Sequence, residues 1–229
     1  MKKIIMMAVA AFMATVSANA QFEKGTWSLQ PMLGGGVSTV VNAKGLYIGN
    51  SKELSKKSSA ASLIGVEAEY QFADKFSIAA GLNYTSQGCS WDDYNDGANK
   101  VKDIKVSQGY IKIPIVANYY IFKGFAVKAG IQFGFMTRSK FEMLQETQTT
   151  LLDGEARDVD VYYSVNYKDP FEKFDFSIPV GVSYQFKVPI VIDARYQIGL
   201  TNVNKLKVDG MKNFKNSVFM LTVGYKFAL

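Results

Sequence analysis

The amino-acid sequence predicts an all-β chain: one eight-stranded antiparallel up-and-down transmembrane β-barrel of the outer-membrane type. Three observations carry this expectation. Eight stretches alternate apolar and polar residues with a period of two, the spacing at which a strand presents opposite faces. The segments joining them alternate long and short along the chain, so the two ends of the sheet differ chemically. Aromatic residues (Tyr70, Phe72, Phe76, Tyr119, Phe122, Phe125, Tyr184, Phe186, Tyr225 and Phe227) crowd the short-connection end, as amphipathic rings do at a membrane interface. A soluble sandwich has no reason to segregate either feature.

The first twenty residues stand apart. Lys2 and Lys3 form a basic start, Ile4 to Val16 a mostly apolar run, and Ala18-Asn19-Ala20 a small-residue cleavage site. That pattern is a secretory signal peptide over residues 1–20, with cleavage expected between Ala20 and Gln21 and a barrel domain over 21–229. The mature chain then has a formal charge of +4, since the +6 of the whole sequence includes Lys2 and Lys3. No later stretch approaches the 18 or so consecutive apolar residues of a membrane helix.

Each strand is expected for the same reason. Trp27–Thr39 opens with Trp27 and Leu29 alternating against Ser28 and Gln30, and its Gly34-Gly35-Gly36 run suits a bend or bulge. Ser62–Phe72 and Phe76–Gln87 alternate on either side of Ala73-Asp74-Lys75, a hairpin signature. Gln108–Ile121 and Phe125–Met136 flank a second tight turn at Phe122-Lys123-Gly124. Phe174–Phe186 and Ile190–Leu200 flank a third at Lys187-Val188-Pro189, and Val218–Leu229 closes the set with Phe219, Leu221, Val223, Tyr225, Phe227 and Leu229 on one face. Polar stretches 42–60, 88–107, 137–173 and 201–216 read as long loops. Short turns belong to the periplasmic end of such barrels and long loops to the outside, which puts both termini in the periplasm. Pro31, Pro114 and Pro179 each remove one ladder hydrogen bond inside a strand and mark places where a bulge would flip the faces beyond them.

Two segments, Tyr110–Tyr120 (YIKIPIVANYY) and Ile190–Asn202 (IVIDARYQIGLTN), resemble the PorT-like and porin-family outer-membrane β-barrel proteins of Bacteroidetes-type bacteria. The terminal VGYKFAL resembles the carboxy-terminal strand of such proteins. There Thr222, Gly224, Phe227 and Leu229 match the polar, glycine, hydrophobic, terminal-aromatic pattern read by the barrel assembly machinery, with Leu229 departing from the usual Phe. The resemblance implies an outer-membrane location and, for some PorT-like proteins, an accessory role in a gliding-associated secretion system. Its motifs describe a barrel and not a chemistry.

Alternation places Glu67, Glu69, Lys112, Lys128, Asp193, Arg195 and Lys226 on the inward face, together with Gln30, Gln71, Asn83, Asn118, Gln132 and Gln197. The inside of an eight-stranded barrel is only just wide enough for side chains to fill, and isolated buried charges are costly, so these groups are expected to pair into a sealed polar plug. A narrow porin for small solutes is the alternative. Catalysis is not expected. The chain has no His, which removes the usual general base, and nothing supplies a nucleophile beside the carboxylate pairs Glu67–Glu69 and Asp158–Asp160. Asp92, Asp96 and Gly97 fall short of a calcium loop because Tyr94 and Lys100 occupy ligand positions, so no metal or other cofactor is expected. The single cysteine, Cys89, excludes an intramolecular disulfide. Export and the absence of interleaved aromatic and basic residues argue against nucleic acid. The basic loops 42–60 and 201–216 suit lipopolysaccharide phosphates, and the acidic stretch 137–173 an envelope protein partner. The expected role is structural or interaction-based, in adhesion, envelope integrity or complex assembly through the long loops.

Overall fold

Period-two alternation with no helical run yields strands alone, and the regular elements among the described residues of the computed structural model are all strands. It describes residues 23–41, 46–48, 52–95, 100–152, 155–166, 171–203 and 214–229. Ala20, Gln21, Asp96 and Gly97 lie outside the described residues, as does most of the basic stretch 201–216. The strands are β1 (Trp27–Val41), β2 (Leu46–Ile48), β3 (Lys52–Leu54), β4 (Lys56–Ala73), β5 (Phe76–Trp91), β6 (Tyr94–Asn95), β7 (Lys100–Phe122), β8 (Phe125–Leu152), β9 (Glu155–Asn166), β10 (Phe174–Gln185), β11 (Ile190–Gly199), β12 (Lys215–Tyr225) and β13 (Phe227–Ala228).

Eight of them close a ring in the order β7–β5–β4–β1–β12–β11–β10–β8, with β8 returning to β7. Every pairing is antiparallel, and the seam that joins the two ends of the chain runs from Met32↔Gly224 to Val41↔Lys215. The terminal strand is interrupted at Lys226, but β13 resumes against β1 in the same register, with Ser28 opposite Ala228 and Leu29 opposite Phe227. The outward face is apolar, with Leu33, Ile64, Leu82, Leu221 and Val223 at least half exposed. So large an apolar surface has no place in water and faces lipid. At the short-turn end the expected aromatics stack in contact, among them Phe76 and Tyr119 with ring centroids 4.9 Å apart and Phe122 and Phe125 at 5.0 Å. A second cluster, Phe133, Phe135, Phe174 and Phe176, lies nearer the other end, where Phe133 and Phe176 are 5.5 Å apart. The tight turn between β7 and β8 depends on Gly124, whose φ of 85° a side chain would disfavour.

The structure departs from the sequence reading in three places. Gly34 to Gly36 is neither bend nor bulge, because its pairings with both β4 and β12 run without a break. Glycine is required there for close approach: a Cβ on Gly36 would press into the Phe219 carbonyl and stand 2.9 Å from the Met220 Cα. The three prolines do not shift register either. Ser177↔Gln132 and Val180↔Ala129 keep one register across Pro179, and β5 and β7 keep theirs across Pro114, with Ala80↔Ile115 and Asn83↔Lys112. Gly81 makes room beside Pro114, since a Cβ there would lie 3.3 Å from the proline Cγ.

The third departure concerns the long loops, which are largely strand. β4 begins at Lys56, β7 at Lys100, and β8 runs on to Leu152 before β9 turns back along it. A membrane needs only ~9–11 residues per strand, so the sheet continues well past it. Bulges sit at this boundary, between Ser58 and Ser62 in β4 and between Met136 and Arg138 in β8 opposite Tyr110 and Gly109. Each inserts one residue and exchanges the faces beyond it. Below the boundary polar side chains point inward. Above it Val40, Cys89 and Val106 pack inside with Trp91 and Phe141, and Leu54, Val101 and Ile104 form a neighbouring cluster. Cys89 thus lies in a strand and an apolar core, and burial pushes its thiol up to about 12.

Gly36→Leu should abolish the folded, faster-migrating band of the unboiled protein on a semi-native gel. Gly35→Ala, whose Cβ would meet nothing closer than the Ala61 carbonyl at 3.5 Å, should leave it unchanged.

Candidate functional site

The strands shield a concentration of charge from solvent in the lumen, and all seven ionisable residues expected there are buried. Arg195 on β11 is the hub. Its guanidinium grips Glu67 of β4 in bidentate fashion, with Nη2 2.7 Å from Oε2. The same Nη2 donates to Asp193 Oδ2 at 2.9 Å. Lys128 of β8 reaches that oxygen from the other side at 2.6 Å. A carboxylate between two cations and an arginine between two carboxylates form one chain across the barrel, which satisfies charges that burial alone would penalise.

A second cluster sits nearer the short-turn end. Lys226, in the break between β12 and β13, lies 2.8 Å from Glu69 Oε2. Glu69 Oε1 accepts from Tyr120 Oη at 2.6 Å and from Ser77 Oγ at 2.7 Å. Asn118 Nδ2 donates to that serine at 2.9 Å. Lys112 is held differently, between two neutral acceptors, Gln87 Oε1 at 2.6 Å and Gln197 Oε1 at 2.5 Å. Gln132 Nε2 joins the same Gln197 oxygen and Ser177 Oγ, both at 3.0 Å.

Sequence reasoning counted three acids against four bases inside. The structure adds Asp175, 1% exposed on β10, which interacts electrostatically with Lys112 and accepts from Thr201 Oγ1 at 3.1 Å. Glu67, Glu69, Asp175 and Asp193 then balance Lys112, Lys128, Arg195 and Lys226. The signal was present, since Asp175 alternates with Ser177 and Pro179, but it lies at the first turn of its strand. The lumen is also less polar than alternation suggested, because Met32, Leu63, Val218 and Met220 form an apolar wall on the β1–β4–β12 side. Between that wall and the ion pairs remains a space of about 10 Å³ beside Asn83, Gln132, Gln197 and Thr222, enough for about one water.

Nothing in the lumen is arranged as a catalytic pair. Glu67 and Glu69 share the inward face as expected, yet each is fully engaged by its own cation. Among the described residues no group of three or more His, Cys, Asp or Glu side chains is placed to hold a metal. Asp92 instead pairs with Lys57 at 2.6 Å, and Asp93 Oδ1 accepts from the backbone of Asp103, a residue in the left-handed region at φ 52°. Of the residues expected to form an assembly signal, Thr222 and Gly224 are buried and Leu229 is 70% exposed, its amide bonded to the Trp27 carbonyl at 2.9 Å.

Beyond the membrane-spanning part, Glu142 of β8 gathers Lys140 at 2.6 Å, Lys105 at 3.3 Å and the Tyr162 hydroxyl of β9. Hydrogen bonds from Lys140 and Tyr162 hold its carboxyl down at about 2. This network ties β9 to the barrel. A depressed acid stabilises the fold above its ordinary value of 4.5 and loses that contribution as pH falls towards about 2.

Two outcomes are expected. Glu67→Gln should strand Arg195 and destabilise the barrel by about 3–5 kcal/mol in urea unfolding, and the double variant Glu67→Gln/Arg195→Gln should recover part of the loss. Protease protection of the β8–β9 hairpin should decline between pH 4.5 and 2, and Glu142→Gln should lower that protection already at pH 7.

Comparison with known proteins agrees with the geometry. The family model described as outer membrane protein beta-barrel domain matches residues 19–205. No curated protein matches the chain. Among solved structures the chain is similar to Ail, the attachment invasion locus protein of Yersinia pestis, at 14% identity over 89% of this chain and 99% of that one, with a TM-score of 0.45. It is similar to Neisserial surface protein A at 13% identity, over 90% of this chain and 100% of that one, with a TM-score of 0.44. For the outer membrane protein OprG from Pseudomonas aeruginosa the values are 11% identity, 92% and 100% coverage, and a TM-score of 0.41. On the family match, which spans most of its length, the chain belongs to the outer membrane protein β-barrel domain family and is a protein of the outer membrane.

Proposed function

We propose that the protein is a closed, non-conducting outer-membrane barrel that serves as a rigid stand for an interaction surface at its long-loop end. The observation that carries this reading is the filled lumen. Cross-braced ion pairs, an apolar wall and, beside them, a space of only about 10 Å³ support it. The displayed part, by contrast, is elaborate, with its own apolar core and strands longer than any bilayer requires.

In this reading residues 1–20 direct export, both termini face the periplasm, and the long-loop end faces outward, as in barrels of this kind. Thr222, Gly224, Phe227 and Leu229 present the closing strand to the barrel assembly machinery. The basic stretches 42–60 and 201–216 meet lipopolysaccharide phosphates, and the acidic stretch 137–173 meets an envelope protein. The PorT-like resemblance extends this to a subunit of a secretion machine, in which the barrel would act by assembly and not by transport.

Single-channel recording of the pure protein in planar bilayers tests the closed lumen. A flat baseline is expected, with no swelling of sugar-loaded liposomes; steady unitary conductance would establish the narrow porin instead.

A further inference from the structure

The protruding sheet ends in the order β7–β8–β9, and among the described residues β9 pairs with β8 alone. β10 takes the same side of β8 only along the membrane-spanning part, from Phe125 to Phe135. Among the described residues β9 therefore has no strand on its second edge, over its length of twelve residues. Residues 162 to 166 are exposed on both faces of the strand, including Tyr162 at 54%, Tyr163 at 41% and Val165 at 51%.

Folded proteins guard such edges with proline, lysine or a bulge that turns the strand away, because a row of free N–H and C=O groups recruits other chains. The sequence of β9, EARDVDVYYSVN, has no proline and no lysine. Its one irregularity lies at the far end, between Thr147 and Thr150 of the partner strand. The strand is also anchored and not loose, since the Tyr162 hydroxyl is bonded to Glu142. An unguarded edge that is rich in valine and tyrosine and held in place is a template for strand addition.

Charge decides what adds to it. β9 carries Glu155, Asp158 and Asp160 against Arg157, and the whole stretch from 137 to 173 has eight acids against five bases. Two copies meeting edge to edge would bring like charge together, which disfavours self-pairing. We infer that β9 is a β-augmentation site for an extended, lysine- or arginine-bearing segment of a partner protein. Backbone hydrogen bonds supply the affinity, and the acids select the cationic strand. This deepens the interaction role proposed above and rests on it. The test does not involve the lumen, so a conducting barrel would overturn that reading without touching this one.

The probe is a fluorescent ten-residue peptide alternating lysine and valine, titrated into the full-length protein refolded in detergent micelles at low salt. Three comparisons are decisive. The peptide with glutamate in place of lysine, and the fully N-methylated lysine peptide, should each bind at least tenfold more weakly. Asp158→Asn/Asp160→Asn should weaken the lysine peptide severalfold. Ser164→Pro and Val165→Pro place the missing N–H on opposite edges of the strand. One of them should keep the hairpin's protease protection while losing at least tenfold in peptide affinity, and the other should disturb the pairing with β8. No binding, equal binding of the N-methylated peptide, or full affinity in both proline variants would overturn the proposal.

Discussion

Arg195 occupies a position that no neutral residue could fill without unbalancing the rest of the lumen. It takes the whole carboxylate of Glu67 from one wall and shares Asp193 with Lys128, so three strands around the ring, β4, β8 and β11, are tied through one hydrogen-bonded chain. A soluble protein can leave a charge near its surface; a strand buried in lipid on its outer face can send polar groups only inward. Inside an eight-stranded ring there is no room for bulk water to solvate them. Mutual neutralisation is the remaining solution, and with Asp175 included the acids and bases come out equal. In the proposed reading, the same condition closes the barrel to solutes.

The outer half of the molecule obeys the opposite rule. Once the strands leave the lipid, their outward face meets water and their inward face meets other strands. The alternation then inverts, with Phe141 inside and Lys140 and Glu142 outside. Without the inserted residue near Thr137, the phase of β8 would have sent Arg138, Lys140 and Glu142 inward, into the space held by Val106 and Ile104. In β4 and β8 a bulge marks this change of solvent, whereas β1 and β5 pass it in unbroken register, and the second aromatic cluster around Phe133 and Phe174 lies close below the bulge of β8.

This inversion explains what could be read from the sequence and what could not. The membrane-spanning strands were legible because one face had to be apolar throughout, so Ile64 through Phe72 or Ile111 through Ile121 announce themselves. The inward ionisable residues followed by parity, and all seven are buried. Above the lipid the pattern weakens, since a sheet with water outside and a thin apolar interior tolerates Ser, Thr and Lys on its surface, and the outer parts of β4, β7 and β8 therefore read as loops. Proline offered a misleading cue for bulges because a missing N–H costs a hydrogen bond without adding a residue. A bulge needs the extra residue, and Thr137 carries no chemical mark of being one. The apolar wall of Met32, Leu63, Val218 and Met220 was hidden for a related reason, as parity says which side a residue faces but not what it will meet there.

The division of labour follows from these two rules. A lumen cross-tied by buried ion pairs resists deformation, because moving any one of Arg195, Asp193 or Lys128 separates charges where solvent cannot compensate. Rigidity below fixes the direction in which the strands emerge, and Glu142 carries that order outward by binding Tyr162 to β8 and β7 at once. In the proposed reading the edge of β9 is held in place through the Tyr162–Glu142 bond. A partner strand that adds there meets a template already ordered, so most of the entropy of ordering falls on the partner alone. In the proposed reading, the charge network that closes the barrel to solutes is also what holds its outermost strand ready as a surface.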